Sequence, residues 1–187
     1  MKKILLLSGA AFLFSANADA MMHHDFSAVK PYVGAEYVYS HSKPGGTAGG
    51  LKHNFNSAKA DLGLEIYKNI YTEFSYQQSW QVKNKHAYEG TSVKQRFAAY
   101  ALDLYGKMPI MCSPFSLVAT TGMALYDVTQ KGLPDNGFMR VGYRIGGGMQ
   151  YDMTEHWSAR VIGRYSYVGA ERLDNYAEVA AGILYRF

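Results

Sequence analysis

The chain has 187 residues, a formal net charge of +4, 19 glycines, 16 tyrosines and one cysteine. A lone cysteine excludes an internal disulfide framework. Mean hydropathy is only −0.19, and after the first 20 residues no run stays apolar for the roughly 20 residues that a membrane-crossing helix requires.

The first segment reads as an export signal. Lys2 and Lys3 precede the apolar run Ile4 to Leu7 and Phe12 to Phe14, and Ala18-Asp19-Ala20 forms a small-x-small cleavage site. This pattern marks residues 1–20 as a cleaved signal peptide, too short to span a bilayer as a helix. Residues 21–28 are expected to form a periplasmic N-terminal tail, and residues 29–187 a single domain. Cleavage after Ala20 would free an amine at Met21 and place His23 third from the new end. Amine, two deprotonated amides and imidazole then offer a planar set of four nitrogens that suits Cu(II) or Ni(II). The competing reading is a disordered tail, and the expectation taken here is that the protein holds no metal and no cofactor.

Eight alternating segments follow, at roughly 29–39, 56–66, 70–80, 95–105, 115–125, 138–151, 157–168 and 176–187. Each is close to the roughly 9–11 residues of a tilted membrane strand. Pro31, Pro44, Pro109, Pro114 and Pro134 all fall in connections or at a strand start, where a missing N–H is harmless. On a strand, side chains alternate between faces. One face collects Val33, Ala35 and Tyr37, then Leu62, Leu64 and Ile66, then Tyr100, Leu102 and Leu104, with comparable sets on the later segments. A soluble sandwich also alternates, but it has no need for so many tyrosines on its buried face. The pattern therefore predicts an all-β, eight-stranded antiparallel up-and-down barrel with lipid outside and a mixed interior. Loops 40–54, 81–92, 127–137 and 169–175 are generally longer than connections 67–69, 106–114 and 152–156. The first set is thus expected outside the cell, the second in the periplasm.

The last segment carries aromatics at Phe187 and Tyr185 and a glycine at Gly182. This ending resembles the C-terminal assembly signal of bacterial outer-membrane barrels. With the strand count and the alternation, the whole mature chain resembles the OmpA-type or opacity-type barrel family, including its small porin-like members that consist of the barrel alone. The resemblance implies insertion in the outer membrane by the barrel-assembly machinery with periplasmic chaperones, and a monomer. It departs from OmpA in ending at Phe187, without the peptidoglycan-binding domain, so cell-wall tethering is not carried over.

The inward parity holds Glu36, Asp61, Glu65, Glu73, Asp103 and Glu178 as acids and Lys59, Arg140, Arg144, Arg160, Arg164 and Arg186 as bases. Eight-stranded barrels have interiors just wide enough to be filled by side chains, and unpaired charges there are costly. Folding the chain about residue 154 sets Arg144 opposite Arg164, and about residue 171 sets Arg164 opposite Glu178. Glu36, on the strand that closes against the last, supplies a second carboxylate. An Arg144–Arg164–Glu178–Glu36 network is thus expected to plug the lumen, as the resemblance also implies. On the outward parity, Lys94 and Arg96 stand at the extracellular end of the fourth segment, where lipopolysaccharide phosphates are natural partners and a solvated rim is the alternative. Catalysis is not expected. A lipid A-modifying barrel would need a serine and histidine placed to activate one another, but His41 and Ser42 are adjacent and so point to opposite faces. The expected role is structural or surface-interacting, with a closed or narrowly conducting lumen. The alternative is an adhesin or receptor binding a host or phage ligand through its loops; nucleic acid is not an expected partner.

Overall fold

The computed structural model describes residues 30–43, 54–84, 93–131, 137–170 and 173–187. Among the described residues nine strands are formed: β1 (Lys30–Lys43), β2 (Asn54–Tyr67), β3 (Ile70–Ser79), β4 (Val82–Asn84), β5 (Val93–Pro109), β6 (Phe115–Lys131), β7 (Gly137–Asp152), β8 (Trp157–Ala170) and β9 (Leu173–Arg186). Every pairing is antiparallel, and β3 and β4 both pair with β5 on successive stretches, so β4 prolongs β3 past an interruption at Trp80 and Gln81. These nine segments therefore make eight staves. Pairing of β3 with β5 at one side and of β1 with β9 at the other leaves no free edge, which is how a barrel satisfies every backbone group in lipid.

Burial alternates residue by residue. In β2 the odd positions Phe55, Ser57, Lys59 and Asp61 are buried, and their even neighbours exposed. Along β5, every outward position from Ala98 to Met108 is apolar, with Tyr100, Leu102 and Leu104 exposed. Ten steps of about 3.4 Å at a tilt near 40° rise about 26 Å, close to the ~25 Å apolar band of outer-membrane barrels. On β6 the matching band runs from Phe115 to Leu125, with Thr121 as its polar interruption. Exposed aromatics mark both ends. Tyr37 packs on Trp80 with ring centroids 5.7 Å apart, and Tyr76 on Tyr100 at 5.1 Å. At the opposite end Phe115 packs on Tyr151 at 4.8 Å. Amphipathic rings favour the headgroup level.

The strands outrun their sequence-based limits, mostly on the loop side. Position 40, expected to open a loop, lies inside β1; 127–131 belongs to β6; and 106–109 extends β5, leaving a turn at 110–114. Alternation of apolar and polar residues reports only the part of a strand that separates lipid from lumen. Beyond it the hairpin ladder continues, because backbone pairing needs no such pattern. Cys112 is exposed in the turn after β5. Asn69 ends the tight β2–β3 turn with φ of 67°, a conformation asparagine tolerates better than most residues.

Candidate functional site

The interior is a filled column, and its chemistry changes along the axis. In the half nearer the long loops lies an aromatic cap. Phe55 meets Phe97 edge-on at 5.4 Å, Phe97 meets Tyr176 at 5.5 Å, and Tyr126 meets Tyr176 at 5.7 Å. Val128, Val168 and three alanines complete the cluster. Its two hydroxyls are satisfied laterally: Tyr126 donates to Ser166 at 2.8 Å and Tyr176 to Ser40 at 2.5 Å.

Below the cap lies an ionic belt. Glu36 accepts from Lys59 at 2.8 Å, from Arg160 at 2.7 Å and, more loosely, from Arg164 at 3.5 Å. Glu73 is the second hub. It takes Lys59 at 3.1 Å, Arg160 at 2.8 Å, and the hydroxyls of Tyr105 and Tyr32 at 2.8 and 2.7 Å. Arg164 pairs with Glu178 at 3.1 Å and donates to the Tyr105 hydroxyl oxygen at 2.8 Å, while the Arg160 guanidinium lies 4.8 Å above the Tyr105 ring. Asp61 approaches Lys59 to 2.6 Å and Arg160 to 3.6 Å, yet neither of its oxygens gains an aligned hydrogen bond. Arg144 and Asp103 form a separate bidentate pair, with Ser75 accepting a further bond from Arg144 at 3.3 Å. Tyr105, Val118 and Ile162 form an apolar floor, and Lys107 and Arg186 share Asp152 at the mouth on the short-turn side, at 2.7 and 3.4 Å.

This geometry corrects the expected network in two ways. Glu36, Arg164 and Glu178 do come together, and Arg164 and Glu178 stand opposite one another across β8 and β9. Arg144 does not join them. The β7–β8 hairpin sets Ser166 opposite Arg144 and Gly146 opposite Arg164, because its turn is centred one residue later than the assumed 154. Arg144 is thereby displaced along the strand and turns to Asp103. The balance of inward charge changes as well. Arg140 is exposed at the loop-side rim, Glu65 is half-buried near the β2–β3 turn, and Arg186 sits at the mouth. Among the described residues, the buried belt then holds five acids (Glu36, Asp61, Glu73, Asp103, Glu178) and four bases (Lys59, Arg144, Arg160, Arg164).

Glycine makes two of these contacts possible. Arg160 and Glu36 are not on neighbouring strands; β9 passes between them, and the residue opposite both is Gly182. A Cβ there would collide with the Ala35 carbonyl oxygen and lie 2.7 Å from Glu36 Cα. Gly122 occupies the same place between Asp103 and Arg144, where a Cβ would strike Asp103 Oδ1 and the Leu102 carbonyl oxygen. In each case acid and base reach across a bare strand, a span of two inter-strand spacings or about 9.6 Å. Gly182, read from sequence as part of the assembly signal, therefore also has a place in the lumen.

Tyr185 and Phe187, the other residues of the expected signal, belong to an aromatic group at the short-turn end of the barrel. Tyr185 packs edge-on against Trp157 at 4.9 Å and Phe187 at 5.1 Å, and stacks on His156 at 5.8 Å. His156 Nδ1 lies 2.9 Å from the Arg186 carbonyl oxygen, and the Phe187 amide donates to Pro31 at 3.1 Å. Deleting Phe187 removes a bond across the closing seam as well as the terminal ring. The yield of heat-modifiable folded barrel in cells is expected to fall, as read on unboiled gels; an undiminished yield would refute the terminal-signal assignment.

Sequence parity had already placed Lys59, Glu73 and Arg160 inside, but it gave no reason to rank them above Arg144. It also left the cap unread: Phe55, Phe97, Tyr126 and Tyr176 have inward parity, and attention to that face alone would have found them. Arg96 is exposed on the outward face. Lys94 lies at the start of β5. His23, Met21 and the proposed signal lie outside the described residues, as do 44–53 and 85–92 in the loops.

A closed, all-antiparallel eight-stave barrel with an apolar girdle and a polar core defines the class, a transmembrane β-barrel of the bacterial outer membrane. The chain belongs to the outer membrane protein beta-barrel domain family, whose model matches residues 6–187. It is 27% identical over 206 aligned positions to the 25 kDa outer-membrane immunogenic protein of Brucella ovis, covering 100% of this chain and 98% of that one. Its fold is similar to that of Neisserial surface protein A, at 16% identity and a TM-score of 0.63, with 85% of this chain and 97% of that chain covered. The attachment invasion locus protein Ail of Yersinia pestis aligns over the same shares at 13% identity and a TM-score of 0.57. The N-terminal barrel of Pseudomonas aeruginosa OprF aligns over 82% of this chain and 97% of its own, at 14% and 0.56. The protein is an integral component of the outer membrane.

Proposed function

We propose that this barrel is a plugged, non-catalytic outer-membrane protein, exported by residues 1–20 and acting through its exterior and exposed loops. The observation that carries this reading is the double closure of the lumen, by the aromatic cap and by the belt centred on Glu36 and Glu73. A cleft at the periplasmic mouth, lined by Tyr32, Tyr71, Lys107 and Arg186 among others, has a volume of about 20 Å³, room for one water. An ion crossing the barrel would have to part both layers, and the hydroxyls of the cap are already engaged, Tyr126 with Ser166 and Tyr176 with Ser40. The partners in this reading are outer-leaflet lipid around the girdle, the assembly machinery reading the last strand, and a ligand at the loop end. A loop ligand is supported by analogy with Ail, which has been crystallised with the heparin analogue sucrose octasulfate; binding assays on cells carrying loop-swapped barrels test it.

Single-channel recording of the refolded protein tests the plug. Wild type is expected to be silent or to show only rare, small openings in 1 M KCl. Arg164→Ala frees Glu178 and loosens Glu36 and Tyr105, and should raise opening frequency. Steady large conductance in the wild type would overturn the plug.

A further inference from the structure

The short turns of the barrel differ in one respect. Those at 67–69 and 153–156 carry charge, in Lys68 and in Glu155. The β5–β6 hairpin carries none at its turn: from Met108 to Tyr126 the chain has no Asp, Glu, Lys, Arg or His. The turn itself runs Ile110-Met111-Cys112-Ser113-Pro114, with Ile110 and Met111 both exposed. Met111, at 92%, is the most exposed large apolar residue among those described. Turns that face water are ordinarily built from polar residues, so this one calls for another surrounding.

The backbone points the same way. The Ser113 amide donates to the Ile110 carbonyl oxygen at 3.1 Å, closing a tight turn with Met111 and Cys112 at its tip, and Cys112 takes a φ of 57°. The Ile110 amide donates to the Phe115 carbonyl oxygen at 3.1 Å, and the Phe115 amide to Ser113 Oγ at 3.2 Å. The Asp152 amide donates to the Pro114 carbonyl oxygen at 3.0 Å, and Pro114 has no N–H to satisfy. Open backbone groups are what keep irregular chain out of lipid. Here the two amides outside this set, of Met111 and Cys112, are those at the tip.

Continuity and height name the surrounding. Met108 closes the outward apolar row of β5 and stands opposite Leu117, which stands opposite Met149; all three are exposed on the lipid-facing side. One row nearer the turn, Phe115 pairs with Tyr151, and Met153 is exposed beyond them. Met111 lies three residues past Met108, at most about 8 Å further along the axis at a tilt near 40°. That distance matches the layer, about 5–8 Å thick, between the hydrocarbon and bulk water.

We propose that the β5–β6 turn, led by Ile110 and Met111, is an interfacial anchor. It seats among the headgroups and upper acyl chains of the lipid leaflet at that end, and holds this side of the barrel deeper than the β2–β3 side. Lipid is the occupant because the apolar surface of the turn continues the girdle without a break. An apolar surface that reaches the boundary between headgroups and chains gains by burial there. The inference goes beyond the surface-acting reading and depends neither on the plug nor on the loops.

The test labels Cys112, the chain's one cysteine and an exposed one, with an environment-sensitive nitrobenzoxadiazole dye. The barrel is refolded into phospholipid nanodiscs, where both faces are open to solution. A reference carries the same dye in the β2–β3 turn, as Lys68→Cys in a Cys112→Ser background. Phospholipid brominated near the headgroup should quench the dye at 112 at least about twofold more than at 68, and aqueous iodide should do the reverse. Met111→Glu should cut the bromolipid quenching at 112 by at least about half, since a charge at the tip favours water. Folding of that variant, read as heat-modifiability, should be unchanged, because the side chain is exposed; should it fail to fold, the comparison of 112 with 68 decides. Equal quenching at the two turns, or quenching at 112 unmoved by Met111→Glu, would overturn the anchor. A dye at 112 shielded from iodide in isolated outer membranes, yet open to it in nanodiscs, would give the turn a protein partner and overturn lipid as its occupant. Failure of the plug would appear as conductance and failure of the anchor as dye exposure, so the two are told apart.

Discussion

Arg160→Ala is expected to lower the unfolding free energy of the barrel by about 3–5 kcal/mol, the range seen when one partner of a buried ion pair is removed. Arg160 serves both hubs, contacting Glu36 at 2.7 Å and Glu73 at 2.8 Å, and its side chain is buried. Its loss leaves two carboxylates with Lys59 as their principal counter-charge. The loss of its packing over Tyr105 adds to the effect. Because these groups lie out of solvent, 0.5 M salt should not erase the difference. Asp61→Asn supplies the contrast. Asp61 is the surplus acid of a belt with five carboxylates and four bases, and its oxygens have no aligned hydrogen bond. Its neutralisation should change stability by no more than about 1 kcal/mol, because it strands no base. Urea titration of refolded barrels in detergent measures both; equal losses in the two variants would mean that the belt is not organised around Arg160.

Gly182→Ala is expected to have the second large effect. The new methyl meets backbone, the Ala35 carbonyl oxygen and Glu36 Cα, so no side-chain rotation relieves it. Overpacking of this kind costs about 1–3 kcal/mol in well-packed cores, sometimes more. Here it also pushes the β1–β9 seam apart beside Glu36. Refolding purified protein from urea into micelles, with no assembly machinery present, separates the two roles open to Gly182. A residue read only by that machinery would leave refolding untouched. A residue that makes room for the Arg160–Glu36 contact would lower refolded yield and stability in the purified system, and that is the expected result.

The architecture was legible because a wall between lipid and a polar lumen imposes period two on every stave, and that period survives in the residues themselves. Parity placed Glu36, Arg164 and Glu178 on one face and, in the structure, they meet. Partner choice was less legible. A one-residue error in the centre of the β7–β8 turn moved Arg144 from an expected place beside Arg164 to a pair with Asp103, two staves away across Gly122. That contact depends on what the intervening strand lacks, and a missing side chain is a weak signal in a sequence with 19 glycines.

The belt's charges are divided unequally along the chain. Glu36, Asp61, Glu73 and Asp103, with Lys59 as their one buried base, belong to β1–β5; Arg144, Arg160 and Arg164, with Glu178, belong to β7–β9. Within the belt, the buried charge from β1–β5 is therefore net acidic and that from β7–β9 net basic, and neither set can neutralise itself. Hairpins that entered the bilayer singly would carry uncompensated charge into a medium where that is expensive. β1 finds its second neighbour only in β9, the last of the barrel strands in chain order. The buried charges of the belt are thus balanced only when both sets of strands stand together in the closed barrel, and a hairpin from either set has no neutral interior of its own.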